Sequence, residues 1–317
     1  IVVTLTNNGY IKRAANSEFR TQNRGGRGVQ GMGIHDQDFV TTLVSCSTHD
    51  NLLFFTNAGK VYKAKGYEVP EYGRTAKGIP VINFLGVNSN ERIQTIIALP
   101  NESEERKYLF FTTKYGVVKR TSVESFKNIR SNGLIAIGLK EDDELVNVLS
   151  TSGDDVVIIG THNGYSVTFK EEAVRDMGRT ASGVRGIRLR SEDYVIGASV
   201  IKEDDEVLVI TEKGYGKRTS EDQYPVKGRG GKGIKTANNN KKNGPLAGLT
   251  TVSGNEDVML ITDRGVIIRF HVDDISQTSR ATLGVRLMKM EDDAKVVTMT
   301  TVDAKELEKV EEESIEE

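Results

Sequence analysis

Behind an apolar run, the tetrapeptide Thr-x-x-Gly returns six times at intervals of about 50 residues, and that recurrence restricts the chain to architectures made by copying one small unit in series. The copies are Thr6-Asn-Asn-Gly9, Thr56-Asn-Ala-Gly59, Thr113-Lys-Tyr-Gly116, Thr161-His-Asn-Gly164, Thr211-Glu-Lys-Gly214 and Thr262-Asp-Arg-Gly265, with glycines 50, 57, 48, 50 and 51 residues apart. Each copy follows an apolar run, such as Leu52-Leu53-Phe54-Phe55 or Val156-Val157-Ile158-Ile159, and precedes a second strand-like stretch. Strand, tight turn with a left-handed glycine, strand is a β-hairpin, and the loop length fits a type I turn plus bulge.

A second glycine keeps step with the first. Gly28, Gly78, Gly183, Gly233 and Gly284 lie 19 residues after their hairpin glycine and Gly133 lies 17 after its own, each followed by an aliphatic residue. Acidic turns such as Glu141-Asp142-Asp143 and Glu291-Asp292-Asp293 close several units. Helical periodicity is nearly absent, so each unit reads as an antiparallel sheet of about four strands. Apolar runs without alternation imply strands covered on both faces, and small sheets covered on both faces must stack on one another. Radial stacking gives a propeller-like disc. The lack of tryptophan argues against the WD and kelch types. The expected fold is therefore all-β and six-bladed, one domain over residues 1–302. Its blades run roughly 1–46, 47–102, 103–150, 151–201, 202–252 and 253–302, and an acidic tail follows at 303–317.

Charge is distributed unevenly. The net charge is −2, but the tail holds eight acids and two lysines, so residues 1–302 carry +4. A basic body with an acidic tail is compatible with a polyanionic partner. Four residues after the hairpin glycine stand Arg13, Lys63, Arg120, Arg218 and Arg269, with Thr168 in the fourth unit; Lys12, Lys119 and Lys217 precede three of them. The loop before the second glycine is also basic: Arg24 and Arg27, Arg74 and Lys77, Arg130, Arg179, then Lys227, Arg229 and Lys232, and Arg280. A cation at one repeat position occupies one height and radius on a disc, so these residues are expected to draw a positive belt around the rim. Such a rim suits duplex DNA, which carries a charge about every 1.7 Å of axis. Bending a duplex through a half-turn over roughly 45 base pairs costs on the order of 10 kcal/mol, which contacts from most of six blades can offset. Contacts to phosphate read little sequence.

The glycine- and arginine-rich stretch 21–33 is either a phosphate-binding loop or a surface loop whose glycines only satisfy positive-φ turns. Within it, Gln22-Asn23-Arg24-Gly25-Gly26-Arg27-Gly28 resembles the signature heptapeptide, normally Gln-Arg-Arg-Gly-Gly-Arg/Lys-Gly, of the C-terminal domain of DNA gyrase A, part of a bacterial type II topoisomerase; six of seven positions match. The resemblance extends over residues 1–302, and Asn23 departs from it. It implies a six-bladed β-pinwheel whose blades exchange strands, with the heptapeptide between first and last blades. It further implies that double-stranded DNA wraps the rim with positive handedness for ATP-driven negative supercoiling. The implied partners are the rest of gyrase A, together with gyrase B, in a cytoplasmic A2B2 assembly with no membrane association. The catalytic tyrosine, ATP and Mg would belong to other parts of that assembly, leaving this domain non-catalytic and without a cofactor. Lys227-Gly-Arg229-Gly-Gly-Lys232-Gly233 echoes the heptapeptide and is an expected second anchor.

Other signals lead nowhere. Two Gly-x-Gly-x-x-Gly patterns, beginning at Gly26 and Gly228, open no helix of a βαβ unit. His35, His49, His162 and His271 are scattered and lack cysteine partners at metal-ligand spacing. The lone Cys46 fits a reducing compartment and a buried thiol. A start at Ile1, without methionine or leader, is expected of a piece of a longer polypeptide. Two rivals remain open: the equivalent domain of topoisomerase IV, and a propeller that scaffolds proteins. The tail either competes with DNA for the rim or merely solubilises.

Overall fold

The Thr-x-x-Gly unit has a backbone reason at both ends. In all six copies the glycine N–H donates to the threonine carbonyl, and the threonine Oγ1 accepts from the amide four residues on, as in Gly164 to Thr161 at 3.0 Å and Tyr165 to Thr161 at 3.2 Å. The six glycines have φ between +73° and +86°, which a side chain tolerates poorly. In each copy the register with the preceding sheet partner shifts at the threonine, a bulge that turns the hairpin tip.

The computed structural model describes residues 1–6, 8–14, 29–30, 40–73, 76–99, 106–291 and 293–304. The first unit contributes β1 (Val2–Thr6), β2 (Tyr10–Ala14), β3 (Val29–Gln30) and β4 (Val40–Ser45). The second contributes β5 (Asn51–Thr56), β6 (Lys60–Lys65), β7 (Ile79–Pro80), α1 (Val81–Leu85) and β8 (Ile93–Leu99). Then come β9 (Tyr108–Thr113), β10 (Val117–Ser122), β11 (Leu134–Ile135) and β12 (Leu145–Thr151), followed by β13 (Val156–Thr161), β14 (Tyr165–Lys170), β15 (Val184–Arg185) and β16 (Val195–Ile201). The last two units are β17 (Glu206–Thr211), β18 (Tyr215–Ser220), β19 (Ile234–Lys235) and β20 (Leu246–Val252), then β21 (Glu256–Thr262), β22 (Val266–His271), β23 (Val285–Arg286) and β24 (Val296–Asp303).

These strands form six four-stranded antiparallel sheets, and no sheet is built from one unit alone. The order β4-β1-β2-β7 recurs: three strands come from one unit, and the short outer strand comes from the next. The idea that each repeat is its own sheet is corrected accordingly, and the strand exchange implied by the resemblance is what the sheets show. The cycle closes because β3, which begins directly after Gly28, pairs with β22 of the last blade. Among the innermost strands, β4 packs on β8, β8 on β12, and so on around to β24 on β4. They surround a cavity of about 1000 Å³ lined by Thr42, Thr95, Asn147, Ser199, Thr250 and Thr298 among others.

The unbroken apolar runs are explained by period-2 geometry between stacked blades. On β5, Leu52 and Phe54 pack toward blade 1, while Leu53 and Phe55 pack toward Leu109 and Phe111 of blade 3. On β17, Val207 and Val209 face blade 4, and Leu208 and Ile210 face blade 6. Each such side chain contributes about 1.5–3 kcal/mol on burial, so every blade stabilises two neighbours. The second glycine is required where the outer strand arrives. A Cβ on Gly183 would lie 2.3 Å from the Val118 carbonyl oxygen, and one on Gly78 would lie 2.4 Å from that of Ile11. Among the described residues no helix is long and apolar enough to cross a membrane.

Candidate nucleic-acid interface

Most of the cations predicted on the third strand of the blades are not rim groups. Lys12, Lys119 and Lys217 are fully enclosed, 0%, 0% and 1% exposed. Lys119 Nζ donates to the carbonyls of Ala136, Gly178 and Arg179, and Lys217 Nζ donates to those of Ser279 and Arg280 and to Thr282 Oγ1. Lys12 Nζ donates to Gly73 O at 2.8 Å. Burial pushes Lys119 down to about 7, with the Arg179 guanidinium adding to it; Lys217 falls to about 8 through burial and then Arg280. The carbonyl cage of Lys119 acts in the other direction, because only an ammonium offers three N–H groups.

One residue further on, the arginines are held by carboxylates. Arg269 forms two bonds to Asp257 Oδ2, at 2.8 and 2.6 Å, deep between strands. Arg218 pairs with Glu206 at 2.6 Å and Asp273 at 3.3 Å, Arg13 with Glu71 at 2.8 Å, and Arg120 with buried Glu171 at 3.6 Å. Lys63 alone of this set is exposed. The expectation that Lys12, Arg13, Lys119, Arg120, Lys217, Arg218 and Arg269 line an open belt is therefore overturned. An inward-facing position on a packed strand needs its charge neutralised, and here it is.

The loops before the second glycine do lie at the outer edge, because they lead into the outermost strands. Arg130, Lys227, Arg229 and Lys232 are exposed there, while Lys77, Arg179 and Arg280 are half-buried. Three arginines reach back to the same place on the preceding outer strand. Arg179 Nη1 donates to Ile135 O at 3.0 Å, Arg229 Nη1 to Arg185 O at 2.7 Å and Arg280 Nη1 to Lys235 O at 2.6 Å. A guanidinium has five N–H groups, so each retains donors for a phosphate while its head is fixed between two blades. Lys77 Nζ lies 3.8 Å from the centre of the Tyr10 ring. In the fifth unit, Gly230 N donates to Gly186 O at 2.8 Å with φ +84°, whereas a Cβ on Gly228 or Gly231 would meet nothing within 4 Å. Those two glycines are not demanded by packing or by positive φ; they leave the backbone open to a close partner. Gln22, Arg24, Gly25, Gly26, Arg27, Gly28 and Arg74 lie outside the described residues.

Sequence reasoning missed a neighbouring set. Arg185, Lys235 and Arg286, each two residues after a second glycine, are exposed on the outermost strands. Their common offset was the available signal. Acids recur in the turns at the two ends of the strands. Glu91, Glu144, Asp193 and Asp293 sit in turns at the hairpin end, and Asp50, Asp155, Asp205 and Glu256 sit at the opposite end. Glu91 and Glu144 pair with Lys60 and Arg92, and Asp50, Asp155, Asp205 and Glu256 each accept from the amide three residues earlier, so these acids close turns. Among the described residues, no group of three or more His, Cys, Asp or Glu is placed to hold a metal. Cys46 is half-buried, and burial first, then Asp50, push its thiol up to about 11 against the opposing N-terminal charge.

Known proteins share this geometry. The family described as DNA gyrase C-terminal domain, beta-propeller, matches residues 1–47, 50–100, 107–152, 155–202, 205–253 and 256–303. The DNA gyrase A protein of Streptococcus pyogenes serotype M3 is 67% identical over 302 residues, covering 95% of this chain and 36% of that protein. The DNA gyrase A protein of Halalkalibacterium halodurans is 59% identical over 317 residues, covering 100% of this chain and 38% of that protein. The chain thus spans little more than a third of these relatives. A solved DNA gyrase A C-terminal domain superposes with a TM-score of 0.86 at 26% identity, covering 95% of this chain and 99% of that one. The C-terminal domain of DNA topoisomerase IV superposes at 0.75 and 27%, covering 99% and 97%.

Proposed function

The chain belongs to the DNA gyrase C-terminal β-propeller family, and from that premise we propose that it bends duplex DNA around its rim as the non-catalytic wrapping part of a gyrase A protein. The observation that carries this reading is the rim itself: cations from successive units recur at one loop position and on the adjoining outer strands. Contacts are to phosphate, so sequence preference is weak. Gly228, Gly231 and the heptapeptide at 22–28 supply places where a backbone meets the duplex closely. The wrapped segment, of positive hand, is delivered to the cleavage core of a cytoplasmic A2B2 enzyme, which introduces negative supercoils using ATP. The tyrosine, the nucleotide and the magnesium sit in other parts of that enzyme, and this domain takes no cofactor.

The test is a salt titration of the chain with a duplex of about 45 base pairs. Each phosphate contacted contributes about −0.9 to the slope of log affinity against log salt. A track fed by most of the blades gives a slope steeper than about −5. A slope near −1 or −2 removes the wrapping reading and leaves a scaffold for proteins.

A further inference from the structure

The buried lysines occur in alternate blades. Three residues after the hairpin glycine the chain reads Lys12, Tyr62, Lys119, Val167, Lys217 and Ile268. The loops that arrive over the lysine blades share a sequence character the others lack: Gly73-Arg74-Thr75-Ala76, Gly178-Arg179-Thr180-Ala181 and Ser279-Arg280-Ala281-Thr282. Their acceptors are also equivalent. Gly73 O, Gly178 O and Ser279 O, each five residues before the second glycine, all take a bond from a lysine Nζ, at 2.8, 3.2 and 2.9 Å. The next carbonyl, that of Arg179 or Arg280, takes another. In the same three blades the incoming segment bridges the third strand in parallel, at Arg13 with Glu71, Arg120 with Asp176 and Arg218 with Gln277.

We propose that Lys12, Lys119 and Lys217 are positioning residues: their side chains clamp the rim loops of the second, fourth and sixth units from beneath, so that those loops present their arginines to DNA in a fixed pose. The ammonium touches no phosphate. In the fourth and sixth units it holds the main chain on both sides of the Cα of Arg179 and Arg280, and each of these arginines then anchors its own head on the previous outer strand. An arginine restrained at both ends loses little conformational freedom on meeting a phosphate. The rim then meets DNA through lysine-clamped loops at three blades and, in the fifth unit, through a glycine-bearing loop whose outer strand joins a blade with Val167 in the lysine position. This proposal rests on the rim reading.

The test is a cycle of Lys119→Met, Arg179→Ala and the double variant in the full chain. Apolar residues, Val167 and Ile268, already fill this position in two blades, so Lys119→Met has a precedent within the fold. Arg179→Ala is expected to lower the salt slope by about 0.9, the value for one phosphate. Lys119→Met is expected to lower it by a similar amount although residue 119 is enclosed, and the double variant by no more than either single change. Hydrogen exchange at the Ala181 amide, which donates to Gly178 O at 3.2 Å, is expected to speed up in Lys119→Met. Full additivity in the double variant, or an unchanged slope and exchange in Lys119→Met, overturns the clamp. Faster exchange with an Arg179→Ala slope equal to that of the unaltered chain overturns the rim reading at this loop and, with it, the lysine's role in DNA contact, while the clamp on the loop stands.

Discussion

Replacing Arg269 with alanine separates structural from DNA-facing cations. Its guanidinium and the Asp257 carboxylate are 5% and 6% exposed, and two N–H groups converge on one oxygen at 2.8 and 2.6 Å. Removing one partner strands the other charge in a low-dielectric interior, which costs about 3–5 kcal/mol. The double change Arg269→Met with Asp257→Leu removes both charges and keeps the volume filled, so it is expected to be neutral or stabilising by about 1–4 kcal/mol. Urea unfolding, followed by two probes to check cooperativity, reads both variants. The same variants titrated with DNA are expected to keep the full salt slope, because this guanidinium faces a carboxylate and not the rim. Wild-type stability in Arg269→Ala, or a slope lower by the ~0.9 of one phosphate, would refute the reasoning.

Other outcomes follow from single positions. Gly183→Ala forces a Cβ to 2.3 Å from a carbonyl oxygen at φ +94° and is expected to cost at least about 1–3 kcal/mol, whereas Gly231→Ala, with open space around it, is expected to leave the unfolding midpoint unchanged and weaken DNA affinity. Cys46, with its thiol raised to about 11, is expected to alkylate slowly at pH 8 and about tenfold faster for each unit the pH is raised toward that value, since only the thiolate reacts; denaturant abolishes the difference from a free thiol. A nicked plasmid ligated while the chain is bound is expected to retain a positive linking-number change, read on gels, and a negative one contradicts the wrap hand.

Much of the fold was legible because the punctuation has a local cause. Thr161 and Gly164 must be what they are for one turn to close, so their recurrence counts the blades directly. Apolar runs such as Val156–Ile159 declared two covered faces, and stacked sheets supply them. The strand exchange was not legible from any one unit, since β15 is only two residues long and its partner is chosen by packing. The arginines misled for a different reason. A repeat position fixes height and radius on the disc but not which way the side chain turns, and that depends on a partner across the strand. The partner was readable in two units: Asp257 and Glu206 lie 12 residues before Arg269 and Arg218, the diagonal offset of a hairpin. The rim loops were legible as basic because glycine and arginine stand together there, whereas the lysine clamps were hidden, their acceptors being backbone carbonyls about 60 residues away; the loop sequences that go with the lysines become meaningful only once the strand exchange is known.

The central claim is that the rim curves a duplex, and end-to-end fluorescence transfer on a doubly labelled duplex of about 45 base pairs measures that directly. The account predicts that transfer rises on adding the chain at low salt, and that it is lost when Arg179, Arg229, Lys232 and Arg280 are replaced together by alanine in a chain that still unfolds at the same urea midpoint. Binding without any rise in transfer, or a rise that survives those four substitutions, would contradict it.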